Sequence, residues 1–245
     1  KGIGDDAAVL SNNENLTGKV EIANFSGKVL TKIKPKWSLL DNDSTVIIAG
    51  YFEVTDIPMG QGHIIGAIDI PLAGFKTAQK CVLQVQTGKY ENSWNNWVYP
   101  QKLRALDKKD LYITRDFDSH LRKALDDGEK VLLLASQKVE NGKDIVQYYQ
   151  PAFWNTSWFR MRPPHTTGVL INKKHPLFNG FPTDFYSDLQ WWGLVNRQQV
   201  INLENFPERF RPVIQPIDTW FLNRRLAMLF EARVGNGRLV VCSIN

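Results

Sequence analysis

A chain of 245 residues with 43% apolar and 22% charged side chains has the makeup of a folded globular protein, long enough for one large domain or two ordinary ones. Its charge of +5 is modest and not gathered into a basic run, which argues against nucleic-acid binding. No apolar run approaches the roughly 20 residues that a membrane-crossing helix needs.

Arginine usage divides the chain. Residues 1–100 contain no Arg, with nine Lys against ten acidic residues, whereas residues 101–245 hold all 12 Arg and nine Lys against 15 acidic residues. A shift this abrupt predicts two modules, 1–100 and 101–245, with the boundary near Pro100. The first reads as an all-β, immunoglobulin-like sandwich. Segments around Val20–Phe25, Val29–Trp37, Thr45–Val54, His63–Leu72 and Cys81–Thr87 are rich in β-branched residues and separated by Gly, Asn, Asp and Pro. Alternation places Val29, Thr31 and Ile33 on one face of a half-buried strand and Lys28, Lys32 and Lys34 on the other. NSWNNWVYP (Asn92 to Pro100) closes the module, its two Trp residues placed to plug one end.

The second module changes period and reads as α/β. DFDSHLRKALDDG (Asp116 to Gly128) spaces Phe117, Leu121, Ala124 and Leu125 for a helix that starts at an Asp cap and stops at Gly. LYIT (Leu111 to Thr114) before it and KVLLLAS (Lys130 to Ser136) after it read as strands, together a parallel βαβ unit. GVLI (Gly168 to Ile171), Leu226 to Val234, and Arg238 to Ile244 after a Gly-Asn-Gly turn are further strands. A helix is expected over about Ser187 to Val195. Cys81 and Cys242 lack CxxC spacing and lie in apolar runs suited to small buried hydrophobes. The chain starts on Lys1 without a leader and stops on a core-like strand, so it reads as a fragment truncated at its C-terminus.

Residues 148–192 hold 12 of the 28 aromatic residues. Aromatics at that density form either a thick core or a face for the apolar side of a sugar ring, and core is the commoner use. As a binding face, Trp154, Trp158, Trp191 and Trp192 would stack on sugar rings, with Arg162 and His165 as polar partners. As scaffold, Arg160, Arg162, His165 and Thr166 would order the Pro163-Pro164 loop, and Asp218-Thr-Trp220 followed by Asn223-Arg224-Arg225 would lock another.

Reactive chemistry is hard to find. No Ser or Cys sits in a GxSxG-type elbow, and Ser136, followed by Gln137 and Lys138, lacks the small neighbours that turn needs. Neither GxGxxG nor GxxxxGK occurs, so no phosphate-binding cofactor is expected. His63, His120, His165 and His175 lack paired ligand spacing, so no metal is expected either. Asp184, Asp188, Glu204, Asp218 and Glu231 are available for glycoside chemistry, but no spacing pairs two of them across a cleft.

NSWNNWVYP, FWNTSWF (Phe153 to Phe159), PPHTTGVLINKKHPLFNGFPTDFYSDLQWW (Pro163 to Trp192), RPVIQPIDTWFLNRRLAMLFEARVGNGRLVVCSIN (Arg211 to Asn245) and the weaker IDIPLAGF (Ile68 to Phe75) resemble the C-terminal accessory region of bacterial glycoside hydrolase family 2 proteins, the β-galactosidase and β-glucuronidase type. The resemblance covers most of the chain from about Ala23. It implies a β-sandwich followed by a degenerate, flavodoxin-like module similar to class I glutamine amidotransferases. It also implies an upstream (β/α)8 barrel of the same polypeptide that carries the two catalytic Glu residues. On this reading the chain holds no catalytic residue and works in a bacterial periplasm or outside the cell. Its partners are the barrel, a carbohydrate in the alternative of a carbohydrate-binding module, and a second copy if the aromatic surface is shared between subunits.

Overall fold

The structure, a computed structural model, describes residues 8–102, 111–148, 166–219 and 221–244. It is rich in strands with few helical turns. Two compact units are distinguished, Lys1–Leu103 with Asn179–Pro182, and Arg104–Phe178 with Thr183–Asn245.

In the first unit, β1 (Val9–Ser11), β4 (Lys36–Leu40), β5 (Val46–Tyr51), β8 (Gln79–Thr87) and β9 (Tyr90–Tyr99) form a sheet in the order β1-β9-β8-β4-β5. Only the β1–β9 pair is parallel. β2 (Asn15–Asn24) pairs along its length with β7 (Gly60–Pro71), and β3 (Leu30–Ile33) pairs with β6 (Thr55–Ile57). Leu16, Ile68 and Ile70 from β2 and β7 meet Leu39, Cys81, Val85 and Val98 of the five-stranded sheet in one core. Sheet packs on sheet here, as the alternating apolar residues require.

Alternation along Val29–Ile33 fails because Lys32 adopts φ 51° and its N–H donates to Asp56 Oδ1 at 2.7 Å, inserting a bulge between the Leu30–Ile57 and Ile33–Thr55 rungs. The bulge turns Leu30 and Ile33 inward and leaves Val29 exposed. NSWNNWVYP is no end-plug: it is the greater part of β9, paired with β8 and β1. Trp94 and Trp97 are three residues apart, so a strand sends them to opposite faces. Trp97 is 1% exposed and Trp94 46%.

Cys81 lies within the core of this unit. Burial, and secondarily the Asp41 carboxylate, push its thiol up to about 11. Thiolate is the reactive form, so native protein at pH 8 should leave Cys81 unmodified by iodoacetamide until denaturant is added. Mass spectrometry after a brief pulse checks this, and rapid native labelling of Cys81 would contradict it.

The second unit is built on a six-stranded mixed sheet. β10 (Leu111–Thr114), β11 (Lys130–Leu134) and β19 (Gly237–Cys242) run parallel. β18 (Leu229–Val234), β16 (Ile214–Asp218) and β13 (Thr166–Ile171) complete the order β10-β11-β19-β18-β16-β13 in antiparallel pairs. The short β12 (Val146–Gln147) and β15 (Ile201–Asn202) pair with β14 (Gln198–Gln199) and β17 (Leu226–Ala227), respectively, outside that sheet. Between β10 and β11 lies α1 (Ser119–Asp126), which buries Leu121, Ala124 and Leu125 against Val131, Leu133, Leu239 and Val241. Its N-cap is Asp118, whose carboxylate accepts from Leu121 N–H at 2.9 Å. Phe117 precedes the helix and is exposed. The β18–β19 hairpin turns on Gly235-Asn236, and a Cβ on Gly237 would come within 2.6 Å of Glu129 O and 2.8 Å of Leu125 O.

β16 has no counterpart among the strands expected from the sequence, because Pro216 lies inside it. The Ile214 carbonyl faces the β18 side, accepting from Met228 N–H at 3.0 Å, and Pro216 faces the same side two residues on. The single β16–β18 rung is at Ile214, so the missing N–H of Pro216 falls where that ladder has already ended. The expected helix over 187–195 is instead a 3-10 turn, Leu189–Trp191, followed by the short α2 (Trp192–Val195).

Candidate functional site

Of the aromatic-face candidates, Trp154, Trp158, Arg162 and His165 lie outside the described residues, as do Arg160 and Trp220. Trp191 is 2% exposed, its indole N–H donates to Thr183 Oγ1 at 2.9 Å, and its ring meets Phe178 edge-on with centroids 6.1 Å apart. A ring so enclosed offers no stacking face. Trp192 is half-buried.

The polar residues of the second unit brace loops. Asp218 accepts from Arg224 Nε at 2.8 Å, Nη2 at 3.1 Å and backbone N–H at 2.8 Å, which is the expected loop lock. Burial works to raise the Asp218 pKa, but the Arg224 and Thr219 hydrogen bonds and the Arg224 charge outweigh it and hold the carboxyl below its ordinary range. Arg225 donates to the carbonyls of Leu203, Glu204, Phe206 and Pro207 at 2.7, 3.2, 2.7 and 3.0 Å. Glu231 faces His175 Nε2 and Arg238 Nη1, each at 3.2 Å. Asp188 caps the turn at Leu189, and Asp184 lies 3.8 Å from Lys173. Among the described residues, no group of three or more His, Cys, Asp or Glu is placed to hold a metal ion.

An open aromatic cleft occurs instead in the first unit. Its volume is about 500 Å³, between residues 20–26 of β2 and its following turn and the tip of the β8–β9 hairpin. Tyr90, Asn92 and Trp94 lie at two-residue spacing on β9 and so share a face, beside Val85 and Thr87 of β8. Phe25 enters from the other side and is 76% exposed, against 55% for Tyr90 and 46% for Trp94. Asn24 holds the turn that presents Phe25. Its amide donates to Lys28 O and Ile57 O, both at 2.9 Å, and its oxygen accepts from Ser26 N–H and Oγ–H at 3.1 and 2.8 Å. Among the described residues, Glu21 and Glu91 are the charged groups lining the cleft, and Lys89, next to Tyr90 in sequence, has its Nζ 5.3 Å from the Tyr90 centroid.

Tyr90 and Trp94 are absent from the expected aromatic face, which is placed where aromatics are densest, over residues 148–192. The signal was present as the spacing Tyr90-x-Asn92-x-Trp94, legible only once the segment is taken as a strand.

The sequence matches the family described as Domain of unknown function (DUF8487) over residues 112–245. The chain belongs to the DUF8487 family. Ahead of that region, residues 14–100 match the Domain of unknown function (DUF8488). No curated protein matches this DUF8487 chain. Among solved structures there is weak similarity to the β-glucuronidase of Parabacteroides merdae, with TM-score 0.24 and 14% identity over 52% of this chain and 20% of that one. A second structure of the same enzyme, with glycerol in its active site, gives TM-score 0.23 and 14% identity over 50% and 19%. The chain thus spans about a fifth of the length of that enzyme, and a likeness this weak decides nothing about activity.

Proposed function

We propose that the chain is a non-catalytic accessory region of a larger bacterial β-glycosidase of the glycoside hydrolase family 2 type, acting on β-galactosides or β-glucuronides in the periplasm or outside the cell. Its work is to buttress the catalytic barrel, mediate oligomer contacts or shape the substrate entrance. One observation carries the reading. The described polar residues in the phrases that resemble that family, Asp218, Arg224, Arg225, Glu231 and His175, are engaged with one another, with Arg238 or with backbone carbonyls, bracing loops and strands.

The finer fold assignment belongs to the same proposal. Sheet-on-sheet packing supports an immunoglobulin-like sandwich for residues 1–100. The parallel run β10-β11-β19 with α1 supports a degenerate, flavodoxin-like, amidotransferase-like module for 101–245, from which the antiparallel β18, β16 and β13 depart. Exposed Val46, Ile47 and Ile48 on the edge strand β5 suit a protein contact. None of the described helices is long and apolar enough to cross a membrane.

Incubated with aryl β-galactosides and aryl β-glucuronides, the chain alone should release no more phenol than buffer does. Turnover at enzymatic rates would overturn the proposal. A second reading, a carbohydrate-binding module, draws its support from the exposed rings of the first unit and not from the buried Trp191.

A further inference from the structure

We propose that the Phe25–Tyr90–Trp94 cleft is a binding site for a short, neutral oligosaccharide, an inference that rests on the carbohydrate-related function proposed above and adds to it a site and a ligand class. Three observations point the same way. The volume, about 500 Å³, falls inside the range of roughly 300–1,000 Å³ typical of ligand clefts. Three aromatic rings are exposed within it, each able to cover an apolar C–H face of a sugar ring. At the strand rise, Tyr90 and Trp94 are about 14 Å apart along β9, so the two rings address different residues of an extended oligosaccharide and not the two sides of one sugar.

The polar groups select among ligands. Glu21 and Glu91 are acceptors that suit the many hydroxyl donors of a neutral sugar. A uronate chain would bring its carboxylates up to these two, and the Lys89 ammonium beside Tyr90 already lies against the Tyr90 ring. A proline-rich peptide fits the aromatic rings but has few backbone N–H donors, so the carboxylates would lose water and gain nothing. The cleft is also held ready: four hydrogen bonds through Asn24 fix the turn carrying Phe25, and the β8–β9 ladder runs unbroken from Thr87–Tyr90 to Gln79–Val98. Little conformational freedom remains to be lost when a ligand arrives.

The test is calorimetric titration of the whole chain with neutral tetrasaccharides of glucose, galactose, mannose and xylose, with tetragalacturonate, and with decaproline. At least one neutral tetrasaccharide should bind saturably, and Trp94→Ala and Tyr90→Ala should each weaken it by about tenfold. Phe25→Ala, on an exposed turn away from the core, should weaken binding with the circular dichroism spectrum unchanged, so loss of affinity is separable from loss of fold. Failure of all four neutral sugars to bind would overturn the site. So would binding that survives the three substitutions, or tighter binding of tetragalacturonate or decaproline. The accessory reading is decided separately, by the turnover assay on the unmodified chain, so either can fail while the other stands.

Discussion

Arg224→Ala should destabilise the second unit by about 3 kcal/mol at pH 7, the low end of the cost of removing one partner from a buried ion pair. The Asp218 side chain is only 1% exposed, so it cannot recover water in place of the lost guanidinium. The cost stays at the low end because the backbone N–H groups of residues 224 and 219 remain to bond the carboxylate. The pH dependence is the more specific signature. The Asp218 pKa is lowered in the folded state, so its contribution is fully present above the unfolded-chain value of about 3.9 and is lost as pH falls through the folded-state value. In the variant, burial acts with less opposition, the folded pKa rises, and less stability remains to be lost. Urea titrations should therefore show the gap between the two proteins at pH 7 narrowing once the pH drops below about 4. A gap that stayed constant down to pH 3 would mean that the carboxylate–guanidinium pair is not its source.

Gly142→Ala should be at least as damaging, at about 4 kcal/mol, because two costs combine. The residue has φ +113°, a region that side chains avoid, and a Cβ there would lie 2.4 Å from Val200 O and 2.9 Å from Asn202 N. Both contacts are backbone, which cannot rotate aside as a flexible side chain does. The 141–145 turn is zipped to residues 200–202 by Asn202 N–H to Asn141 O at 2.8 Å, Asn141 Nδ2–H to Asn202 O at 3.0 Å and Val200 N–H to Ile145 O at 3.3 Å. Separating the segments to admit a methyl group would strain all three bonds. Gly193→Ala is the control in the same unit: it lies in α2 with nothing within 4 Å of its Cβ position, so it should be neutral or stabilise by up to about 1 kcal/mol. Thermal denaturation of the two variants checks the contrast, and equal midpoints would refute the steric argument.

Much of this molecule is governed by short-range rules that sequence displays directly. The strands around Thr45–Val54, His63–Leu72 and Cys81–Thr87, the βαβ unit with its Asp-capped helix, and the Gly235-Asn236 hairpin all follow from side-chain periodicity and turn residues within about a dozen positions. The Asp218–Arg224 lock was legible for the same reason, its partners being six residues apart. Other features depend on where distant segments meet. The bulge at Lys32 needs Asp56, the tolerance of Pro216 depends on where the β18 ladder ends, and the requirement for Gly142 arises only because residues 200–202 lie against it. The aromatic cleft is of this second kind. Tyr90 and Trp94 share a face because β9 is a strand, but they line a cleft because β2, some 70 residues earlier in the chain, brings Glu21 and Phe25 opposite them. Local patterning specifies which side of an element is apolar, whereas the pairing of elements decides which aromatic rings are covered and which stay open.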